Sequence, residues 1–384
     1  MISISERAQA SVDVDVDAQP RNETAYDMVI DLSAYCQPSD GFGVSATLCN
    51  DALRAARSFL HEADESVRRA CLTKDRARRG YSPICTENFA SLIGEQGPND
   101  LVKKYRIGPE PNHANGQIQS ISSLHQPNQW PTEESWDQDK AHIFKSTIER
   151  YFETICKVAD CILRVICEGI IAENKNTDIA ESVRVLSGSS NTAQNDTIHG
   201  NESKNHTSIL TLLGYQPGSR HKKGHKSYMR PLISAHTDVG VLTVLRFDGG
   251  KCAALERAAN NAASCGNIIS SENIEWIDVN LPKVLDDDDD PIFVVNVGDC
   301  LSELSGGTLR STLHRVMPRP LPHPVECEKG NEGAAAAAAP RTCLALFVGL
   351  EPTASVKVPH SGEVLSYEEW RRQRIARATA VMKR

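Results

Sequence analysis

Between residues 141 and 172 the apolar positions recur at intervals of three and four. Ile148, Phe152, Ile155, Val158, Ile162, Val165 and Ile166 fall on one face of a 3.6-residue helix. The spacing predicts a long helix packed along the outside of a sheet. Downstream the pattern changes. Val239–Phe247 alternates, while Pro291–Val297 and Thr342–Val348 are short apolar runs rich in β-branched and aromatic residues, which predicts strands. Upstream, Tyr26–Ser33 offers a short strand and residues 50–72, rich in Ala, Leu, Arg and Glu, a helix. Ser366-Tyr-Glu-Glu369 reads as a capping box opening a helix over 366–382. Many short strands after a helical lead predict a mainly β fold with flanking helices. Its core would be a double-stranded β-helix, or jelly roll, with the long helix outside one sheet.

The regular segments are separated by stretches without periodicity. Residues 1–24 are polar, with an alternating Asp13-Val-Asp-Val-Asp17, and are expected to form a disordered tail. Residues 187–207 are dense in Ser, Asn and Gly; 258–272, the acidic run 286–290 and 320–340 with its Ala334–Ala339 tract are similar interruptions. Loops on a rigid scaffold accept such insertions. The expected organisation is thus a tail over 1–24, an N-terminal region over 25–140, and a jelly-roll domain over 141–384 carrying four inserted loops.

Composition narrows the function classes. With 384 residues, 40% hydrophobic and 24% charged, the chain has ordinary globular usage. A net charge of -8 weighs against a nucleic-acid partner, whose phosphates favour a basic surface. No apolar run approaches the roughly 20 residues that span a bilayer, and Met1-Ile-Ser-Ile-Ser-Glu-Arg7 lacks a secretory layout. A cytoplasmic monomer without a membrane partner is expected. The twelve cysteines are scattered, with no Cys-x-x-Cys pair, so reduced thiols are the simpler expectation. Cys156 and Cys161 fall on the long helix and are read as core residues. The sequons at Asn22, Asn195, Asn201 and Asn205 are read as by-products of Asn- and Ser-rich loops, and Asp286–Asp290 as a solvated acidic loop lacking EF-hand spacing.

The candidate chemistry lies in His236-Thr237-Asp238 and His314. Positions i and i+2 of a strand face the same side, so His236 and Asp238 can reach one ion; His314 comes from a second strand. A His-x-Asp triplet is common by chance in a chain of this length. Its setting is less common: Ile233-Ser-Ala-His-Thr-Asp-Val-Gly-Val-Leu-Thr-Val-Leu245, then Val294-Val-Asn-Val-Gly-Asp299, then Leu309-Arg-Ser-Thr-Leu-His-Arg-Val316. Two imidazoles and one carboxylate suit Fe(II) and leave three coordination positions open; the donor types also admit Zn(II).

In order and local spelling these three blocks resemble the 2-oxoglutarate/Fe(II) dioxygenases of the isopenicillin N synthase-like superfamily. The resemblance implies His236, Asp238 and His314 as iron ligands. It implies Arg341 as the anchor for the distal carboxylate of 2-oxoglutarate, with Cys343 where the family has a serine. Leu213-Gly-Tyr-Gln-Pro217 resembles a family run whose tyrosine touches the co-substrate, making Tyr215 a candidate, and Asn296 matches a position near the metal pocket. The N-terminal region would supply one wall of the substrate cavity, with Arg79, Tyr81 and Arg106 as candidate lining residues. The implied enzyme uses Fe(II), 2-oxoglutarate and O₂ to couple oxidative decarboxylation to hydroxylation, desaturation or ring closure of a small molecule. Two alternatives remain at this point: an isopenicillin N synthase-type oxidase without 2-oxoglutarate, and a non-catalytic small-molecule-binding protein on the same fold.

Overall fold

The computed structural model describes residues 2–5, 28–31, 44–74, 78–114, 117–119, 122–173, 177–187, 198–199, 205–216, 221–223, 226–228, 230–249, 252–259, 263–264, 267–268, 274–279, 291–319, 339–359 and 361–382. Strands of the two larger sheets are β1 (Ile2–Ser5), β2 (Met28–Asp31), β3 (Gly80–Ser82), β4 (Val102–Ile107), β5 (Ile209–Tyr215) and β6 (Ile233–His236). They continue with β7 (Leu242–Phe247), β8 (Ala253–Ala258), β9 (Trp276–Asp278), β10 (Phe293–Val297), β11 (His314–Pro318) and β12 (Arg341–Phe347). The helices are α1 (Ala46–Arg57), α2 (Glu65–Ala70), α3 (Gln138–Glu173), α4 (Thr177–Ser187), α5 (Asp299–Leu304) and α6 (Tyr367–Met382).

The larger sheet has eight strands in the order β2-β1-β10-β7-β12-β5-β4-β3, and the smaller has four in the order β6-β11-β8-β9. Pairing is antiparallel except between β1 and β2. This is the expected jelly roll, and its strand alternation splits the core in two. On β12, Leu344 and Leu346 join Leu242 and Val244 of β7 and Leu210 and Leu212 of β5 on the outer face. There they meet α1 and α3 through Phe59, Ile148, Ile155, Ile162 and their neighbours. The opposite face carries Cys343 and Ala345 of β12, Leu245 of β7 and Leu213 and Tyr215 of β5. These pack with Ile233, Leu255 and Val316 of the smaller sheet. The period of two thus gives a strand one face for the helices and one for a cavity.

The long helix forms over 138–173 and buries the apolar face predicted for it. The C-terminal helix begins where the capping box places it, with the Glu369 amide donating to Ser366 Oγ at 3.3 Å. Other expectations are corrected. The helix expected over 50–72 is two helices: after a π-helical turn at Ser58–Glu62 the chain extends at Ala63 and Asp64, then restarts as α2. Arg68 reaches back across that break to the carbonyls of Phe59 and Ala63, supplying donors that a continuous ladder would have provided. The tail expected over 1–24 begins with a strand, because Ile2–Ser5 pairs with β10 (Ile2 opposite Val295); residues 6–24 lie outside the described residues.

The 187–207 loop also differs from expectation where it is described, since Ile198, His206 and Thr207 are buried; 188–197 and 200–204 lie outside the described residues. Within 258–272, Ala263–Ser264 pairs with Asn267–Ile268 in a short hairpin. Residues 286–290 and 320–338 lie outside the described residues. Cys49, Cys71, Cys85, Cys156, Cys167, Cys252, Cys300 and Cys343 are not disulfide-bonded. Cys161 is buried on α3 as expected, but it is disulfide-bonded, against the expectation of reduced thiols. Among the described residues no helix is long and apolar enough to cross a membrane.

Candidate active site

His236 ends β6 and His314 begins β11, and the two are Cα partners across that pair. Their rings lie 4.4 Å apart between centroids. Asp238 follows two residues after His236, on the loop into β7. Each histidine is held by its own backbone: Nδ1 of His236 meets the Ser234 carbonyl at 2.8 Å, and Nδ1 of His314 meets that of Thr312 at 2.9 Å. Donation at Nδ1 leaves Nε2 with its lone pair. The two Nε2 atoms lie 3.8 and 3.9 Å from Asp238 Oδ1, too far for hydrogen bonds and close enough for all three donors to reach one ion. All three side chains are buried. Burial and the adjacent His314, opposed by Asp238, push His236 down to about 3, so its ring is neutral at physiological pH, as a ligand must be.

The other oxygen of Asp238 is occupied by the protein. Thr243 Oγ1 donates to Asp238 Oδ2 at 2.7 Å, and Asn296 Nδ2 approaches it at 3.5 Å. Thr243 and Asn296 are themselves Cα partners on β7 and β10, so one antiparallel pair orients the carboxylate from both strands. Two close backbone approaches fix the loop. The Asp299 amide donates to the Asp238 carbonyl at 2.7 Å and the Gly298 amide to the Val241 carbonyl at 2.9 Å. A Cβ on Gly298 would lie 2.1 Å from the Gly240 carbonyl oxygen. From α6, Arg374 Nε donates to Asp299 Oδ2 at 2.9 Å, and its other nitrogens reach Thr237 Oγ1 and the Leu92 carbonyl. From the N-terminal region, Phe89 lies 4.6 Å from the His236 ring. It is held there by its amide's bond to Asp100, whose other oxygen accepts from the Ser234 amide.

The three donors open on a cavity of about 620 Å³, including its mouth, lined also by Tyr215, Arg341 and Cys343. Arg341 and Cys343 share the inner face of β12, and Tyr215 sits directly opposite Arg341 on β5. Among the described residues, Arg341 is the only lysine or arginine that lines the cavity. Its guanidinium stacks over Phe247 at 4.1 Å and one nitrogen donates to the Ala253 carbonyl, while Nε has no hydrogen-bond partner among the described residues. Burial pushes the Cys343 thiol up to about 12, so it places no thiolate charge beside an incoming carboxylate. Thr342 points to the outer core, as alternation requires. Thr211 Oγ1 and Asn296 Oδ1, both on the cavity wall, are likewise buried without a hydrogen-bond partner among the described residues. An N₂O donor set, an arginine with an unpartnered nitrogen and two orphaned polar atoms on an otherwise apolar wall fit a chelated metal with a polar, carboxylate-bearing co-substrate.

Arg79, Tyr81 and Arg106 do not line this cavity. Arg79 donates to the Leu124 carbonyl, Tyr81 joins the outer core, and Arg106 grips Glu87 with two nitrogens at 2.8 and 2.6 Å. Phe89, in the stretch expected to wall the cavity, does line it; the sequence assigned no role to Thr211 or Thr243. Thr243 is a polar residue within an apolar strand, and its partner Asp238 is not visible from the strand period.

A jelly roll presenting an open three-donor face at its mouth defines the class of non-haem metal oxygenases. No family model matches the chain. A 2-oxoglutarate-dependent dioxygenase of Aspergillus niger, caaD, is 26% identical over 289 residues, 72% of this chain and 68% of that protein. A homoarginine-6-hydroxylase of Arabidopsis thaliana is 26% identical over 282 residues, 72% of this chain and 60% of that protein. Among solved structures, a full-length Neurospora crassa protein crystallised in complex with alpha-KG superposes with a TM-score of 0.55 at 20% identity, covering 87% of this chain and 84% of that one. JOX2 in complex with 2OG, Fe and JA gives 0.53 at 16% identity, covering 89% and 79%. At these identities the structural matches speak to the shared fold. The curated relatives are named as a 2-oxoglutarate-dependent dioxygenase and a homoarginine hydroxylase, and the chain is similar to them over about seven-tenths of its length.

Proposed function

We propose that this protein is an Fe(II)- and 2-oxoglutarate-dependent oxygenase acting on a small organic molecule, with His236, Asp238 and His314 as the iron ligands. The observation that carries the reading is the shared cavity: three neutral-or-anionic donors and one stacked arginine face the same enclosed space. When bound, iron with 2-oxoglutarate and O₂ supplies an oxidant able to take a hydrogen atom from an unactivated carbon. The chain's own residues do the rest. His236 and His314 offer Nε2 because the Ser234 and Thr312 carbonyls hold Nδ1. Thr243 and Asn296 fix which Asp238 oxygen points to the ligand face. Arg341 grips the distal carboxylate, with the Tyr215 hydroxyl and the Cys343 thiol beside it; a guanidinium fork in a buried site is suited to bidentate binding. Phe89, Ile233, Leu245, Leu255, Val316 and Phe347 exclude water and favour a substrate with an apolar body.

The test is anaerobic Fe(II) plus 2-oxoglutarate. A visible metal-to-ligand charge-transfer band, lost in His314→Ala, is expected, together with 2-oxoglutarate-dependent succinate release in air. Metal binding without the band points to an oxidase that draws all its electrons from the substrate. No metal binding points to a binding protein on the same fold. Succinate release retained by His314→Ala rejects the ligand assignment.

A further inference from the structure

A second cluster of metal-ligating side chains lies on the far side of the larger sheet, among the helices. Cys156 and Asp160 are four residues apart and share a face of α3. His199 and His206 come from the segment that leads into β5. Ligand atoms of Cys156, His199 and His206 lie within 4.8 Å of one another. Cys156 is 4%, Asp160 5% and His206 6% exposed, and the His199 side chain 2%. The two imidazole rings meet edge to face at 4.5 Å.

Asp160 holds His199 twice: Oδ1 meets Nδ1 at 2.7 Å, and Oδ2 accepts the His199 backbone amide at 3.1 Å. A carboxylate on one imidazole nitrogen fixes the tautomer and raises the basicity of the other, which is the usual outer support of a metal-bound histidine. His199 Nε2 meets the Ser208 hydroxyl at 2.8 Å, and the His206 ring accepts a long hydrogen bond from the Ser208 amide at 3.3 Å. A satisfied apolar core would not gather a thiol, two imidazoles and a carboxylate at one buried point of a helix face that otherwise carries Phe152, Ala159 and Leu163.

We propose that Cys156, His199 and His206 form a structural zinc site, oriented by Asp160, that staples α3 to the strand carrying Thr211, Leu213 and Tyr215. Thiolate plus imidazole is the donor set that selects tetrahedral zinc over the harder Fe(II) of the N₂O site. Zinc-to-ligand bonds of about 2.0–2.3 Å put tetrahedral donors roughly 3.5 Å apart, so side-chain rotations closing about 1 Å bring the three donors onto one ion, with the fourth position taken by a water molecule. Cys156 gives up its thiol proton on binding and Ser208 releases His199 Nε2.

The experiment uses the full chain carrying His236→Ala and His314→Ala, so that the outcome does not depend on the oxygenase site. After chelator treatment it is titrated with Co(II), then Zn(II). One equivalent of Co(II) should bind with a thiolate-to-cobalt charge-transfer band and strong tetrahedral d–d absorption, and Zn(II) should displace it. The band should survive Cys343→Ala and vanish in Cys156→Ser, with His206→Asn as an independent check. Wild-type protein should bind two equivalents of metal and lose one in either cluster variant. Absence of cobalt binding in the double-alanine protein, or a band that persists without Cys156, overturns the proposal and leaves the cluster a hydrogen-bonded core. Because the double-alanine protein retains the whole cluster, that result stands even if the cluster variants fail to fold.

Discussion

At the residue scale, the three donors were legible because strand geometry and local spelling coincide at His236, Asp238 and His314. Their supports were not. Thr243 and Asn296 are 53 positions apart in the chain and become partners only once β7 pairs with β10; no period within one strand reveals a cross-strand register. The consequence can be measured. Thr243→Val keeps the shape of the side chain and removes the donor to Asp238 Oδ2, so the carboxylate is free to turn. Loss of such a support typically costs 10- to 100-fold in metal affinity, and a fall of about that size is expected in an Mn(II) titration. Unchanged affinity would mean that Asn296 alone orients Asp238. Beside Arg341, Cys343→Ser replaces a weak donor by a stronger one on the same cavity face. Activity should persist with an equal or lower 2-oxoglutarate KM. Arg341→Leu should raise that KM at least tenfold, and an unchanged KM would remove Arg341 from the co-substrate site.

At the element scale, the sequence showed which segments are strands and helices more clearly than how they dock. The apolar face of α3 and the alternation of β7 and β12 needed only local periods. The docking of the N-terminal region rests on buried charges that have no period. Glu87 takes two nitrogens of Arg106 and, at 3.0 Å, the ammonium of Lys104. Burial alone would raise the Glu87 pKa, but Arg106, then Lys104 and Arg78, overcome it and hold the carboxyl well below its usual range. Burial pushes Lys104 down to about 8, still charged at neutral pH. Glu87→Gln would leave buried Arg106 without its carboxylate and Lys104 with only the more distant Asp100 at 3.7 Å, a loss of about 3 kcal/mol. A carboxyl whose folded pKa is depressed stabilises the fold fully above its unfolded value, about 4.3, and loses that contribution as pH falls toward the folded value. The stability gap between wild type and Glu87→Gln should therefore be constant above about pH 5 and narrow below it. A gap independent of pH down to 3 would assign the loss to packing.

The whole molecule places a tightly constrained stretch of backbone where three layers meet the ligand face. Gly298 leaves β10, its amide bonded to Val241 and its Cα against the Gly240 carbonyl. One residue on, Asp299 binds the backbone of Asp238 and the side chains of Thr237 and Arg374. Arg374 in turn reaches Leu92 of the N-terminal region. Larger sheet, C-terminal helix and N-terminal wall thus converge on the loop that carries Asp238, and stability and ligand binding should be coupled through it. A ligand that binds only the folded state adds RT ln(1 + [L]/Kd), about 2.7 kcal/mol at a hundredfold excess over Kd. Mn(II) with 2-oxoglutarate should therefore raise the melting temperature of wild type by several degrees, and 2-oxoglutarate without metal by much less, since Arg341 would hold only one end of it. In Gly298→Ala the new methyl group must displace the Gly240 carbonyl, costing about 1–3 kcal/mol of stability by overpacking. Because the displaced segment bears Asp238, the ligand-induced rise should shrink as well. A Gly298→Ala protein with lower stability and an undiminished rise would show that the converging contacts hold the fold together without holding the ligand face.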